Sequence, residues 1–118
     1  MADKSEKLII GLTEQVTLYG EKDKKIVIAR IDTGATKSSI DVTLAAQLKV
    51  GPILKTKLVK SASGSTLRPL VQAKIFIAGK IMLAEFTIAD RSHMRYDLLI
   101  GQNILKEGFL VDCARQVD

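Results

Sequence analysis

The sequence predicts a single, mostly β domain of many short strands, either a small barrel or a sandwich. Three observations lead there. Apolar and polar residues alternate with a period of two over much of the chain, whereas helical spacing is confined to one stretch and a short turn. Two long alternating segments meet at an Ala-Gly-Lys turn, the pattern of a hairpin. Finally, 118 residues with no internal repeat, low-complexity segment or linker hold one domain spanning residues 1–118.

Taken in order, "LIIGL" and "QVTLYG" read as strand segments and "EKDKK" as a charged turn. "KIVIARI" (Lys25–Ile31) is short and β-branched, and suits a strand buried on both faces. "DVTLAAQLKVG" reads as a helix with Asp41 as its N-cap. Val42, Ala45 and Ala46 follow at helical spacing, Leu44 and Leu48 lie one turn apart, and Gly51-Pro52 ends the pattern. "ILKTKLVKSAS" (Ile53–Ser63) places Leu54, Thr56, Leu58 and Lys60 on one side, with Lys55, Lys57 and Val59 on the other. "TLRPLVQAKIFIAG" and "KIMLAEFTIAD" form the long hairpin. "YDLLIG" is a short buried strand, "GQNILKEG" gives a helical turn or two after Gly101, and "GFLVDC" closes the chain with Cys113 as a small apolar strand residue.

Hydrophobic residues make up 47% of the chain and charged residues 26%, enough for a core and for a solvated surface. No apolar run approaches the ~20 residues of a membrane span, and "MADKSEKLIIGL" lacks the apolar core of a secretory signal. The single Cys113 excludes an intramolecular disulfide, which fits a reducing compartment; the expected location is cytoplasmic. A net charge of +5 favours acidic partners. Nucleic acid is not expected, because the lysines are scattered and aromatics are only 4%, with no Trp to stack on bases.

The chemistry-bearing stretch is "ARIDTGATKSSID" (Ala29–Asp41). An acid directly after a buried-looking strand is unfavourable unless it is paired or used. Asp32-Thr33-Gly34-Ala35 resembles the active-site signature of aspartic peptidases. There the Asp carboxylate shares a proton with a partner and activates water, the Thr hydroxyl braces the facing loop, and the Gly lets backbone approach the carboxyl closely. Such a tripeptide recurs by chance, but two further landmarks follow it in order. "KSASGSTLRP" (Lys60–Pro69) is a small polar hairpin tip between long strands, and "YDLLIGQNIL" (Tyr96–Leu105) is an apolar-apolar-Gly segment entering a helical turn.

The three together resemble the retropepsin-like aspartic peptidases from about Lys25 to Val111. "DTGATKSSID" and the segment from Arg68 to Leu105, with its Asp90–Tyr96 run "DRSHMRY", are most similar to the group called ATP-dependent zinc proteases, or RimK-associated. The resemblance implies a small closed β-barrel of the retropepsin (acid protease) type with one or two short helices. It also implies an aspartic endopeptidase that pairs one Asp per chain in a homodimer, for which the segments near both termini are candidate interchain strands. Asp32, Thr33 and Gly34 would be catalytic. Ala35, Thr36, Lys37, Ser63, Gly64, Ser65, Arg68, Arg91 and Arg95 would bind a peptide or protein substrate, with Ser61–Thr66 as the flap. The group is implicated with ATP-grasp ligases that add glutamates to protein tails. That suggests such a ligase as partner and glutamate-rich substrates, which a basic chain suits electrostatically.

Two departures stand out. Where retroviral enzymes carry an Asp after the DTGA segment and an Arg after the second Gly, this chain has Thr36 and Gln102, two neutral groups in place of an ion pair. The zinc in the group's name finds no ligand spacing, since the chain has one His and one Cys; no metal and no cofactor are expected.

Simpler readings stand beside these. Asp32 as a turn former, His93 as a loop residue, Asp97 as a solvent-facing acid or a partner of Arg95, and Ala78–Lys80 as a plain hairpin turn need no function. Two other functional classes remain: a non-catalytic module that holds extended peptide, and hydrolysis within one chain by Asp32 with another acid or a metal.

Overall fold

The computed structural model describes residues 6–62 and 64–117. In chain order the strands are β1 (Leu8–Ile10), β2 (Thr13–Tyr19), β3 (Lys24–Ile31), β4 (Ser38–Asp41), β5 (Ile53–Ser61), β6 (Gly64–Ile77), β7 (Lys80–Ala89), β8 (Leu98–Ile100) and β9 (Phe109–Val111). Helix α1 (Val42–Leu48) follows β4, and α2 (Gln102–Leu105) follows β8.

Six strands close on themselves in the order β2-β3-β8-β4-β7-β6. The C-terminal end of β6 returns to β2, with Val16–Tyr19 opposite Lys74–Ile77. The fold is thus the small closed β-barrel with two short helices that the resemblance implied. Its interior is apolar: Val16, Leu18, Ala29, Ile40, Val71, Ile75, Ile77, Phe86, Leu98 and Ile100 are all fully buried. Outside the barrel, β1 and β9 pair in parallel within the chain, Leu8 opposite Phe109 through Ile10 opposite Val111.

Strand β6 is long because it serves two structures. Its Leu70–Ile77 half pairs with β7 inside the barrel, while Gly64–Pro69 pairs with β5 alone. The β5–β6 arm therefore projects beyond the barrel wall. Pro69 falls where the β7 ladder has ended, so its missing N–H removes no β7 bond. The β6–β7 turn holds Ala78 at φ 51° and Gly79 at φ 85°, the two positive angles of a tight hairpin turn matched to strand twist.

Three local expectations need correction. Strand β3 is not buried on both faces: Ala29 and Ile31 are buried, but Ile26 and Arg30 are exposed, because a barrel strand has only one inner face. In α1 the buried stripe is Leu44, Ala45 and Leu48, leaving Val42 exposed and Ala46 outward. Cys113 is exposed in a turn beyond β9, where Ala114 N–H donates to Asp112 Oδ1 at 2.9 Å.

Asp41 caps α1 as expected and does more. Its Oδ2 accepts from Thr43 N–H at 3.0 Å, and its Oδ1 accepts from Arg91 N–H at 2.7 Å, joining α1 to the segment after β7. Asp41→Ala leaves both donors without an acceptor and should destabilise the fold by ~2 kcal/mol, read as a lower urea midpoint. Asp41→Asn keeps an amide oxygen and should lose roughly half as much.

Candidate active site

The loop carrying Asp32 is built by a threading of the chain. Strands β3 and β4 are consecutive in sequence, yet β8 lies between them, parallel to β3 and antiparallel to β4. The Asp32–Lys37 connection must therefore pass over the end of β8. Where it does so, Asp32 N–H donates to Ile100 O at 2.9 Å, which fixes the start of the loop.

Within the loop, Gly34 N–H donates to Asp32 Oδ1 at 2.9 Å and Ala35 N–H donates to Asp32 O at 3.2 Å. Asp32 is half-buried, and one carboxyl oxygen is oriented by its own loop. A Cβ on Gly34 would sit 3.3 Å from Asp32 Oδ1, so the close approach expected of this glycine is present.

The residues after Gly101 clamp the loop from the other side. Gln102 N–H donates to Ala35 O at 2.7 Å, and the Gln102 side chain Nε2 donates to Thr33 O at 2.7 Å. A neutral Gln thus ties the second segment to the Asp32 loop through backbone carbonyls and needs no ion pair with Thr36, which is exposed. Gly101 leaves no room for a side chain: its Cβ would lie 2.2 Å from Lys37 O and 2.8 Å from Ala35 O.

A chain of polar side chains rooted in the buried Ser38 completes the support, and sequence reasoning did not find it. Ser38, fully buried, accepts from Gly101 N–H at 2.9 Å and donates through Oγ to Asn103 Oδ1 at 2.7 Å. Asn103 Nδ2 in turn donates to Glu85 O at 3.0 Å, and Thr87 Oγ1 donates to Ser38 O at 3.3 Å. The only signal in the sequence was the placement of small polar residues directly after each landmark.

Beside the loop lies a groove of about 540 Å³. Gly34, Ala35, Thr36 and Lys37 line one wall, while Leu58, Lys60 and Arg68 of the projecting arm line the other, with Leu99 and Thr87 also at its surface. Of the expected binding residues, Ala35, Thr36, Lys37 and Arg68 are therefore brought together. Gly64 and Ser65 are exposed at the arm's tip, opposite Ser61 and Lys60. Ser63 lies outside the described residues.

Arg91 and Arg95 are placed differently. Arg91 is only 8% exposed; its Nε donates to Tyr96 O at 2.9 Å and its Nη1 to Ser39 Oγ at 3.0 Å. Its guanidinium braces the interior behind the groove. Burial lowers its pKa from the usual Arg value; Asp97 and Asp41 act against that, Arg68 adds to it, and Asp32 opposes it. Arg stays charged across the physiological range regardless. Arg95 lines a separate depression with Val27 and Ile28 and stacks its guanidinium 5.3 Å from the Tyr96 ring centroid. Asp90 near them is held below the usual carboxylate range by the Ser92 hydroxyl and N–H, an Asx turn that shapes the "DRSHMRY" loop.

The donor set does not fit a zinc ion. Among the described residues no three His, Cys, Asp or Glu side chains cluster, and His93 and Cys113 sit exposed on different loops.

A closed six-stranded barrel with two short helices is the fold of the retropepsin-like aspartic proteases. The solved structures with this fold include EIAV protease bound to the inhibitor HBY-793, at 17% identity and TM-score 0.65, covering 91% of this chain and 92% of that one. Simian foamy virus (mac) protease aligns at 16% identity and TM-score 0.58, covering 80% and 91%. Protein Lpg0085 of Legionella pneumophila subsp. pneumophila str. Philadelphia 1, of unknown function, aligns at 18% identity and TM-score 0.65 over 96% of both chains. No curated protein matches the chain. The family model RimB-like, described as "Retropepsin-like aspartic endopeptidase RimB", matches residues 43–117, and the chain belongs to that family. The matched segment begins after Asp32–Ala35 and carries the arm, β7, β8 and α2.

Two substitutions separate fold from site. Gly101→Ala forces backbone apart and should destabilise the domain by ~3 kcal/mol or more, visible as a collapsed thermal midpoint. Gln102→Ala removes one bond to Thr33 O at an exposed position and should lower stability by only ~1 kcal/mol.

Proposed function

We propose that the chain is an aspartic endopeptidase that works as a two-fold homodimer, with Asp32 of each copy sharing one proton. The observation that carries this reading is the Asp32 loop. It presents a half-buried, glycine-backed carboxylate beside a groove of about 540 Å³, and among the described residues that groove's lining holds no acid to partner it. Hydrolysis by this route needs two carboxylates, one to take a proton from water and one to donate to the substrate carbonyl oxygen. A symmetry mate is the direct source of the second.

In the cycle, the ionised Asp32 removes a proton from water while the protonated Asp32 of the other copy gives its proton to the carbonyl oxygen. The resulting tetrahedral diol then loses its amine as the dyad returns a proton to the departing nitrogen. Thr33 braces the facing loop across the two-fold axis. The Ser61–Thr66 tip closes over the substrate and excludes water. Lys37 and Arg68, with Lys60 beside them, give the groove a positive lining that supports acidic, glutamate-rich substrates. A role beside an ATP-grasp ligase in the cytoplasm belongs to this same reading.

A second reading has one observation in its favour. Among the described residues strand β5 has a neighbour on one side only, an outer edge able to take a peptide by strand addition without cutting it.

Asp32→Asn should lower cleavage of a glutamate-rich peptide by ~10²–10⁴-fold while leaving the thermal midpoint near that of wild type. An undiminished rate removes Asp32 from the chemistry. In a 1:1 mixture of wild type and Asp32→Asn allowed to exchange, activity should fall to about one quarter, since only wild-type pairs hold two carboxylates. A fall to about one half means each copy works alone.

A further inference from the structure

We infer that Ser39 is a specificity-determining residue: backed by the buried Arg91, its hydroxyl donates to a carboxylate side chain of a substrate in the groove beside Asp32. This deepens the peptidase reading and rests on its assignment of that groove to substrate. The strand registers set Thr87, Ser39 and Leu99 side by side on β7, β4 and β8, and all three line the groove. The two hydroxyls on this stretch of floor differ in one respect. Thr87 Oγ1 has committed its proton to Ser38 O, at 3.3 Å. Ser39 Oγ accepts from Arg91 Nη1 at 3.0 Å, and among the described residues nothing accepts from it. An Arg side chain holds donors and no acceptor, so the Ser39 proton must point away from the guanidinium. For this half-buried residue the groove is the open side.

The second observation is a buried charge without a counter-ion. Arg91 is 8% exposed, yet its guanidinium donates to two neutral oxygens, Tyr96 O and Ser39 Oγ, and forms no ion pair among the described residues. Buried charges are ordinarily paired. Of the acids that act on it, Asp41 is committed to the N–H groups of Thr43 and Arg91, and Asp97 stands exposed to solvent. Burial is the main influence lowering the Arg91 pKa, and the charge of Arg68, which lines the groove, lowers it further. The two guanidiniums thus repel each other, and an anion close to both relieves that repulsion.

The chemistry of this seat selects a carboxylate. A carboxylate oxygen accepting from Ser39 at ~2.7 Å stands about 5 Å from Arg91 Nη1, a range at which opposite charges act strongly. The bond from Arg91 also polarises the Ser39 hydroxyl, which strengthens its donation. A carboxylate gains from both effects. A glutamine amide accepts the hydrogen bond but carries no charge, and a lysine is repelled by Arg91, Arg68 and Lys60. Lys37, Lys60 and Arg68 attract any acidic chain whatever its register. Ser39 sits at one fixed place on the floor and therefore reads one substrate position.

The test uses the full chain, an eight-residue Glu peptide and its variants that each carry one Gln, with the rate at each bond read by mass spectrometry. In wild type, Gln at one position relative to the cleaved bond should lower kcat/KM about tenfold. Ser39→Ala should shrink that penalty to about twofold or less and leave the pattern at other positions unchanged. A thermal melt by circular dichroism checks that Ser39→Ala folds. Binding is measured separately by calorimetry in the Asp32→Asn chain, where hydrolysis cannot contribute. There the preference for the Glu peptide over an all-Gln peptide should fall about tenfold when Ser39→Ala is added. The inference is overturned if Ser39→Ala slows every peptide alike, the result of a purely structural role. It is equally overturned if the penalty keeps its full size or if wild type shows no such position. The peptidase reading fails on a different result: no peptide is cut, yet the Asp32→Asn chain still binds with a preference that depends on Ser39, which supports the inference. If no peptide is bound or cut, both fall.

Discussion

The structure depends on one crossing of backbones. Strand β8 enters between β3 and β4, and Gly101 meets the carbonyls of Lys37 and Ala35 where a Cβ would stand 2.2 Å from the nearest oxygen. From that contact everything at the site follows. Ile100 O holds the amide of Asp32, the Gly101 N–H engages Ser38, and Gln102 reaches back to Thr33 and Ala35. The loop is thereby tied at its start, middle and end by groups that lie next to one another on the chain.

That arrangement explains how a domain of this size can hold a carboxylate at a surface without losing its orientation. The apolar interior supplies cohesion, and the hydrogen bonds between the buried Ser38 and the half-buried Asn103 supply direction, since a satisfied polar network has few alternative arrangements. The projecting arm contributes differently. Among the described residues Gly64–Pro69 has only β5 as a neighbouring strand, so its local opening is energetically easier than that of the barrel strands.

Much of this was legible in the sequence. Alternation marked the β6–β7 hairpin, Asp41 marked the start of α1, and the order of the three landmarks marked the barrel and its loop. What stayed hidden has physical reasons. Ser38 meets Asn103 across 65 positions and Gln102 meets Thr33 across 69, and small polar residues carry no periodic signal of distant pairing. Arg91 sits in a run of polar residues that reads as solvent-exposed, yet it is buried against Tyr96 and Ser39. "KIVIARI" reads as apolar on both faces, while the barrel covers only one, which leaves Ile26 outside.

The central claim concerns two carboxylates, of which one chain carries one. A crystal structure of the purified protein, refined at a resolution that fixes side-chain oxygens, measures it most directly. If the account holds, the nearest oxygens of the two Asp32 side chains lie ~2.6–3.2 Å apart across a two-fold axis, at the floor of a continuous groove. If every assembly keeps them farther apart than a single water can bridge, the shared-proton chemistry is contradicted.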